Sequence, residues 1–385
     1  MPVRVDVRPE LLDWARARSG ITDEAWSERF AYVDNWMTGD KRPTFKQLEK
    51  FAQQTHTPFG MLLLPEPPIE PVPITDFRSV TSAAPEQPTA NLLDTIYVCQ
   101  QRQEWFRDFA RSQGADPLPF VASATLETAP VAVAAAIAEK LGWNADTRRA
   151  QRTWSDALTA LRHAAEDLGI LVMISGVAGV GNDKHRALNV EEFRGFALVD
   201  PLAPLVFVNG RDSKAAQVFT LVHELAHIWL GEGGVSDIAP ESLDGVAVER
   251  WCNRVAAEVI VPMAEFRALF QPTTALTTEL DRLARHFKVS TLTILVRIRE
   301  AGFLSWDEFR TAFAAERERV MAFKRPASGG GDFYNTLFTY VGRRFAESIV
   351  ASTLEGTTLY RDASRLLGFT SQSTFDGAAA RLGYA

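Results

Sequence analysis

Phe219-Thr-Leu-Val-His223-Glu224-Leu-Ala-His227, inside the longer run from Ser213 to Gly231, decides how this chain is read. Val218, Leu221, Val222, Leu225 and Trp229 recur at helical spacing, and most positions between them are apolar as well. That pattern predicts a buried helix, with Asp212 or Ser213 as its N-cap and Gly231 at its end. Two histidines four apart stand one above the other on such a helix, so both imidazoles can bind one metal ion. Glu224 is rotated one step from His223, which places its carboxylate beside the open position where water would sit. Buried polar groups need partners, and a metal satisfies both histidines at once.

A third ligand is expected from a following helix, predicted over residues 244–261 and stopped by Pro262. It carries two candidates, Glu249 and Glu258. They lie about two and a half turns apart and so face roughly opposite ways. Glu249 is favoured, because its separation from His227 suits a helix packed across the first. Asn253, one turn further on the same face, can accept the N–H of a ligand histidine and fix its tautomer. Cys252 is an i+3 neighbour of Glu249 and could be a soft fourth ligand, although a small buried packing role is favoured.

Upstream the pattern changes period. Ile170 to Ile174, Phe196 to Val199 and Leu205 to Val208 are short β-type runs, the last two joined by a hairpin-like Asp200-Pro-Leu-Ala-Pro204. Leu205 to Val208, if at a sheet edge, could pair with an extended substrate. Gly176-Val-Ala-Gly-Val-Gly181 lacks the Lys-Ser/Thr and the spacing of a phosphate loop, and reads as a turn over the site. Developing oxyanion charge needs a donor, and His185, Arg186 and Arg194 are the candidates before the helix.

The metal-binding stretch resembles the ImmA/IrrE family of metallopeptidases. That family's pattern is H-E-L-A/G-H followed by E-x-x-A-N-x-F-A-A-x-x-L-M-P. Here it is met by His223 to His227 and by Glu249-Arg-Trp-Cys-Asn-Arg-Val-Ala-Ala-Glu-Val-Ile-Val-Pro262, with Cys252 and Val255 as apolar exchanges. The run from Glu192 to Gln217 is similar to the long members fused to a helix-turn-helix unit. The resemblance implies one zinc ion per chain, held gluzincin-like by His223, His227 and Glu249, with Glu224 as base. It also implies that the substrate is a partner protein, a helix-turn-helix repressor in a stress, mobile-element or phage-related switch. The fold it implies is α+β and predominantly helical. A small zincin-like core, made of a short β-sheet, the HExxH helix and the Glu-bearing helix, is flanked by helical modules.

Those modules divide the chain into 1–65, 66–154, the core at 155–270, an extension at 271–326 and a last unit at 327–385. In the first, Trp36-Met-Thr-Gly-Asp-Lys-Arg-Pro-Thr44 resembles a turn of XRE-type helix-turn-helix regulators, but the recognition stretch before it shrinks to Phe30 to Asn35. Thr22 is a predicted N-cap, and Phe45, Leu48, Phe51 and Ala52 share one helical face. Nine Lys/Arg balance nine Asp/Glu over residues 1–65, a poor footprint for phosphate, so docking of a protein is favoured over DNA. Leu64 to Pro73 is proline-dense and reads as an extended linker. Residues 280–302 read as two helices about a turn at Val289-Ser290, helix-turn-helix-like, with antiparallel packing favoured.

The whole composition is that of an ordinary globular protein: 385 residues, 46% hydrophobic and 23% charged, with a formal net charge of −7. Two cysteines, Cys99 and Cys252, provide no disulfide framework. No apolar run suits a membrane span or a signal peptide, so a cytoplasmic setting is expected. A second functional class stays open: a transcriptional regulator or toxin–antitoxin component whose metal site is structural or dormant.

Overall fold

Four short strands lie at the centre: β1 (Leu171–Ser175), β2 (Gly195–Leu198), β3 (Leu205–Asn209) and β4 (Gly234–Ser236). In the computed structural model, which describes residues 3–77, 87–179, 186–236, 247–322 and 332–384, every residue of these strands is buried. Runs that are apolar throughout, without polar alternation, are what a sheet covered on both faces requires. The order is β1-β3-β2-β4, with β1 and β3 parallel and the other pairs antiparallel. The Asp200–Pro204 connection is the predicted hairpin loop. The Asp200 carboxylate accepts the N–H groups of Leu202 and Ala203 at 2.9 and 2.8 Å.

This order corrects one expectation. β3 is interior, hydrogen-bonded on both sides, so Leu205 to Val208 offers no edge to a substrate. The edge on this side is β4, a strand of three residues too short to leave a period-2 signature. Its outer side is itself occupied. After the proline-dense linker the chain lies alongside β4, with Val235 N–H donating to Thr75 O at 2.8 Å and Phe77 N–H donating to Val235 O at 3.1 Å.

The sheet's alternating side chains separate two cores. Val172, Ile174, Ala197, Val206 and Val208 pack with the central helix (Lys214–Leu230), the crossing helix (Ala247–Ile260) and the helix Trp154–Asp167. Leu171, Met173, Phe196, Leu205 and Phe207 face the other way, onto the long helix Ala90–Ser112 and the last helices of the chain. Phe196 and Phe207 stack there, with centroids 5.0 Å apart. The final four helices, from Phe333 to Arg381, therefore supply the second cover of the sheet.

The helices Leu276–Phe287 and Thr291–Glu300 join the first core, with the turn between them where it was predicted. Residues Thr293 to Ile298 are buried, so this second helix has no open face to lay in a nucleic-acid groove. Residues 3–63 form a separate small core around Trp14, Trp26, Phe30, Trp36 and Phe51. Thr22 caps its helix Asp23–Phe30, and Thr44 makes a capping box with Gln47. A single 3-10 turn (Ala31–Val33) and the four-residue helix Asp34–Met37 fill the shortened stretch. Arg18 holds Glu70 of the linker through two contacts of 2.5 and 3.1 Å. Among the described residues no helix is long and apolar enough to cross a membrane.

Glu166, on Trp154–Asp167, accepts the N–H of Arg343 at 2.6 Å and so ties the last helices to the first core. Burial pushes its carboxyl up to about 7 from 4.5, against the pull of Arg162 and the Arg343 and Arg344 N–H groups, with Glu347 adding to the rise. A folded-state pKa above the unfolded one means that the native chain binds the proton longer. Stability should therefore fall as pH rises between about 4.5 and about 7 and level off above. In Glu166→Gln that decline should flatten, as measured by thermal unfolding across the window; an unchanged slope would place the dependence elsewhere.

Candidate metal centre

The central helix begins where Ser213 Oγ accepts the N–H of Ala216 at 3.2 Å, and it ends at Gly231 in the left-handed region, φ +80°. Every residue from Gln217 to Leu230 is buried, and His223, Glu224 and His227 are wholly inaccessible. The crossing helix brings Glu249 over the two imidazoles. His223 Nε2 lies 3.0 Å from His227 Nε2 and 3.2 Å from Glu249 Oε2, and His227 Nε2 lies 3.3 Å from Glu249 Oε1. A tetrahedral zinc with ligands at about 2.0–2.1 Å separates neighbouring donor atoms by about 3.3 Å, so the three donors already stand at the edge length of such a site. Among the described residues this is the one cluster of three such donors.

The electrostatics suit the same ion. Burial holds His223 below its ordinary pKa, and hence neutral, against the pull of Glu249. Burial alone would raise Glu249, but the two imidazoles outweigh it and keep its carboxyl well below the usual range, so it is ionised. Two imidazole nitrogens and one carboxylate are a zinc donor set. The ring tautomers are prepared too. His227 Nδ1 donates to Glu232 O at 2.7 Å, which leaves the Nε2 lone pair facing the cluster. Asn253 stands beside His223 and pulls its pKa upward by hydrogen bonding. That contact is loose, for His223 Nδ1 and Asn253 Oδ1 are both buried short of full hydrogen-bond geometry.

Glu224 is the unsatisfied member. Among the described residues neither of its carboxylate oxygens has a hydrogen-bond partner of good geometry, and burial, with the charge of Glu249 beside it, pushes its pKa well up. Gly195 makes room for it. A Cβ there would lie 2.9 Å from Glu224 Oε1 and 2.7 Å from Thr220 Cγ2. Ser236, at the end of β4, points its hydroxyl into the cluster, donating to Glu249 Oε1 at 3.2 Å and lying 3.4 Å from His227 Nε2. The ring of Phe77 stacks on His227, with centroids 5.4 Å apart and planes 22° from parallel.

The other candidates stand elsewhere. Glu258 pairs with Arg297 at 2.5 Å and accepts the N–H of Met263, away from the imidazoles. Cys252 is fully buried, and burial followed by the nearby carboxylates pushes its thiol far up, so it packs as a neutral side chain. Arg186 binds Asp94 at 2.6 Å and Asn91 at 3.1 Å on the long helix. Arg194 is held in an ion pair with Asp212 at the start of the central helix. His185, with the end of the glycine-rich turn, lies outside the described residues. Ser236 and Phe77 had no local signal. One sits in a three-residue strand, and the other ends a linker far away in sequence. Gly195, a glycine opening an apolar run, did carry the mark of a close backbone approach.

Comparison with known families agrees with this geometry. Residues 165–299 match the peptidase family described as the IrrE N-terminal-like domain, a span that contains the triad, Glu224, Gly195 and Ser236. Residues 341–381 match a domain of unknown function, DUF8813, and belong to the helices that cover the sheet's second face. No curated protein matches the chain. A peptidase domain with a buried His223–His227–Glu249 triad is that of a metalloendopeptidase.

The ligand assignment is checked by metal content. Glu249→Ala should lose stoichiometric zinc while Glu258→Ala retains it, and the reverse pattern would move the third ligand. Ser236→Ala removes a hydroxyl that orients Glu249, and should weaken zinc binding about 10-fold or more in competition with a chromogenic chelator. Wild-type affinity in that variant would show the hydroxyl to be a bystander.

Proposed function

We propose that this chain is a zinc-dependent endopeptidase that cuts a partner protein, a helix-turn-helix repressor, in the cytoplasm. The observation that carries the reading is the pairing of three donors at tetrahedral spacing with a fourth, unpartnered carboxylate on the same helix. A structural metal site has no use for Glu224. A hydrolytic one does.

A metal held by His223, His227 and Glu249 would supply Lewis acidity to the scissile carbonyl and to the attacking water. Glu224, with no competing hydrogen bond, accepts that water's proton. As the C–N bond breaks, the same carboxyl returns the proton to the departing amine nitrogen, so the group ends as it began. Glu249 and the two imidazoles would hold the ion without themselves exchanging protons. The Glu232 carbonyl keeps the ring of His227 in the tautomer this needs, and Asn253 stands beside that of His223. The apolar surround of the central helix strengthens each of these interactions by excluding water.

The choice of a protein substrate rests on the motif's likeness to peptidases that act on repressors, and on the character of residues 3–63. That unit is balanced in charge and leaves Tyr32, Phe45 and Leu63 exposed, features of a docking surface for protein more than for phosphate.

The test is co-expression with candidate helix-turn-helix repressors, followed by cleavage with purified components. Glu224→Gln should keep its zinc and lose about 10²–10⁴-fold in cutting rate. If the variant cuts as well as the parent, Glu224 is not the base. If the parent cuts nothing while zinc-loaded, the reading of a regulator with a dormant site takes its place.

A further inference from the structure

An edge strand beside an active site is where an extended peptide can add itself to the sheet. Here that edge is β4. Its Ser236 hydroxyl touches Glu249 and lies beside His227, so a peptide hydrogen-bonded along its outer side would pass over the triad. β1, the opposite edge, lies on the far side of β3 and β2.

The outer side of β4 is already paired. Thr75 to Phe77 run parallel to it, held by the two backbone hydrogen bonds of Val235. Phe77 turns inward, is 8% exposed, and lays its ring on His227. The fit depends on Gly234, where a Cβ would stand 2.5 Å from the Phe77 ring and 2.6 Å from Thr75 O. The backbone ladder is nevertheless short. Pro71 and Pro73 have no N–H to donate, so the ladder does not extend back into the linker, and parallel pairing is the weaker kind.

We propose that Thr75–Phe77 is a resident occupant of the substrate's place: the outer edge of β4 docks an extended peptide with an aromatic or similarly broad apolar side chain over His227, and the chain's own segment fills that place until it is displaced. This rests on the peptidase reading, and it adds to it both a substrate feature and a restraint. The plainer role of a strand along an edge is to prevent aggregation. That role does not require an aromatic ring stacked on a metal ligand.

Two kinds of variant of the full, zinc-loaded chain test the proposal. Phe77→Ala removes the cover, and Gly234→Ala pushes it off while leaving Phe77 intact. Both should release zinc to excess EDTA about 10-fold faster and cut fluorescein-labelled casein faster, the loss of one or two modest contacts. Zinc release at the parent rate in both variants overturns the proposal. The second kind locks the segment down, with Asp76→Cys and Val235→Cys joined as a disulfide. The oxidised form should cut casein at least about 10-fold more slowly than the same protein reduced by a phosphine. Equal rates in the oxidised and reduced forms overturn the proposal and leave the peptidase reading standing. Casein left uncut by every zinc-loaded form, the reduced one included, counts against the peptidase reading and therefore against the docking edge too.

Discussion

Everything in this molecule answers to the cost of burying two imidazoles and two carboxylates on adjacent helices. Unpaired polar groups in an apolar interior cost several kcal/mol each by order of magnitude, and ionised ones more. The chain meets that cost with arrangements that also prepare a metal site. The two imidazoles, of which burial keeps that of His223 neutral, are ligands ready to bind. A carboxylate held ionised between them is a third. The Glu232 carbonyl satisfies the remaining nitrogen of His227, and the hydroxyl of Ser236 satisfies one oxygen of Glu249. Among the described residues Glu224, like Nδ1 of His223, is left without such relief, and its position on the helix beside the histidines is what the proposed role of proton acceptor requires.

The sheet serves this arrangement by fixing the central helix from below, and its own demands explain the rest of the chain's length. Strands apolar on both faces must be covered twice. The central helix and its neighbours cover one face, and the long helix Ala90–Ser112, with the four helices from Phe333 to Arg381, covers the other. Glu166 and Arg343 tie the two covers together. The match of residues 341–381 to a domain of unknown function thus falls on helices that share a core with the strands of the peptidase domain.

How much of this was legible in the sequence follows from range. The central helix declared itself, because the spacing of Val218, Leu221, Val222, Leu225 and Trp229 and the cap and stop around it are local facts. The four-residue interval of the histidines is local too. Glu249 needed one step of tertiary reasoning, about which face of the next helix looks back. β1 to β3 were visible as apolar runs, but their order was not, since pairing of β1 with β3 is decided by contacts that no short pattern encodes. β4 is three residues with a glycine among them, below the length at which alternation can be seen. Phe77 is the extreme case. It lies just beyond the proline-dense stretch read as an extended linker, and what matters about it is a ring contact with a residue 150 positions later. The shortened stretch between Phe30 and Asn35 was legible for the opposite reason, because a missing length shows in the count alone.

The clasp between Arg18 and Glu70 gives the linker a mechanical character. Only five residue steps separate Glu70 from Thr75, a tether of at most about 18 Å when drawn out. Pro71 and Pro73 favour the extended form, so little of that length is slack. Val72 and Ile74 also pack on the second core, so the tether is seated on the body of the protein between the clasp and the strand. The short helical unit and the buried metal site share no core, and this seated stretch is how the chain passes from one to the other.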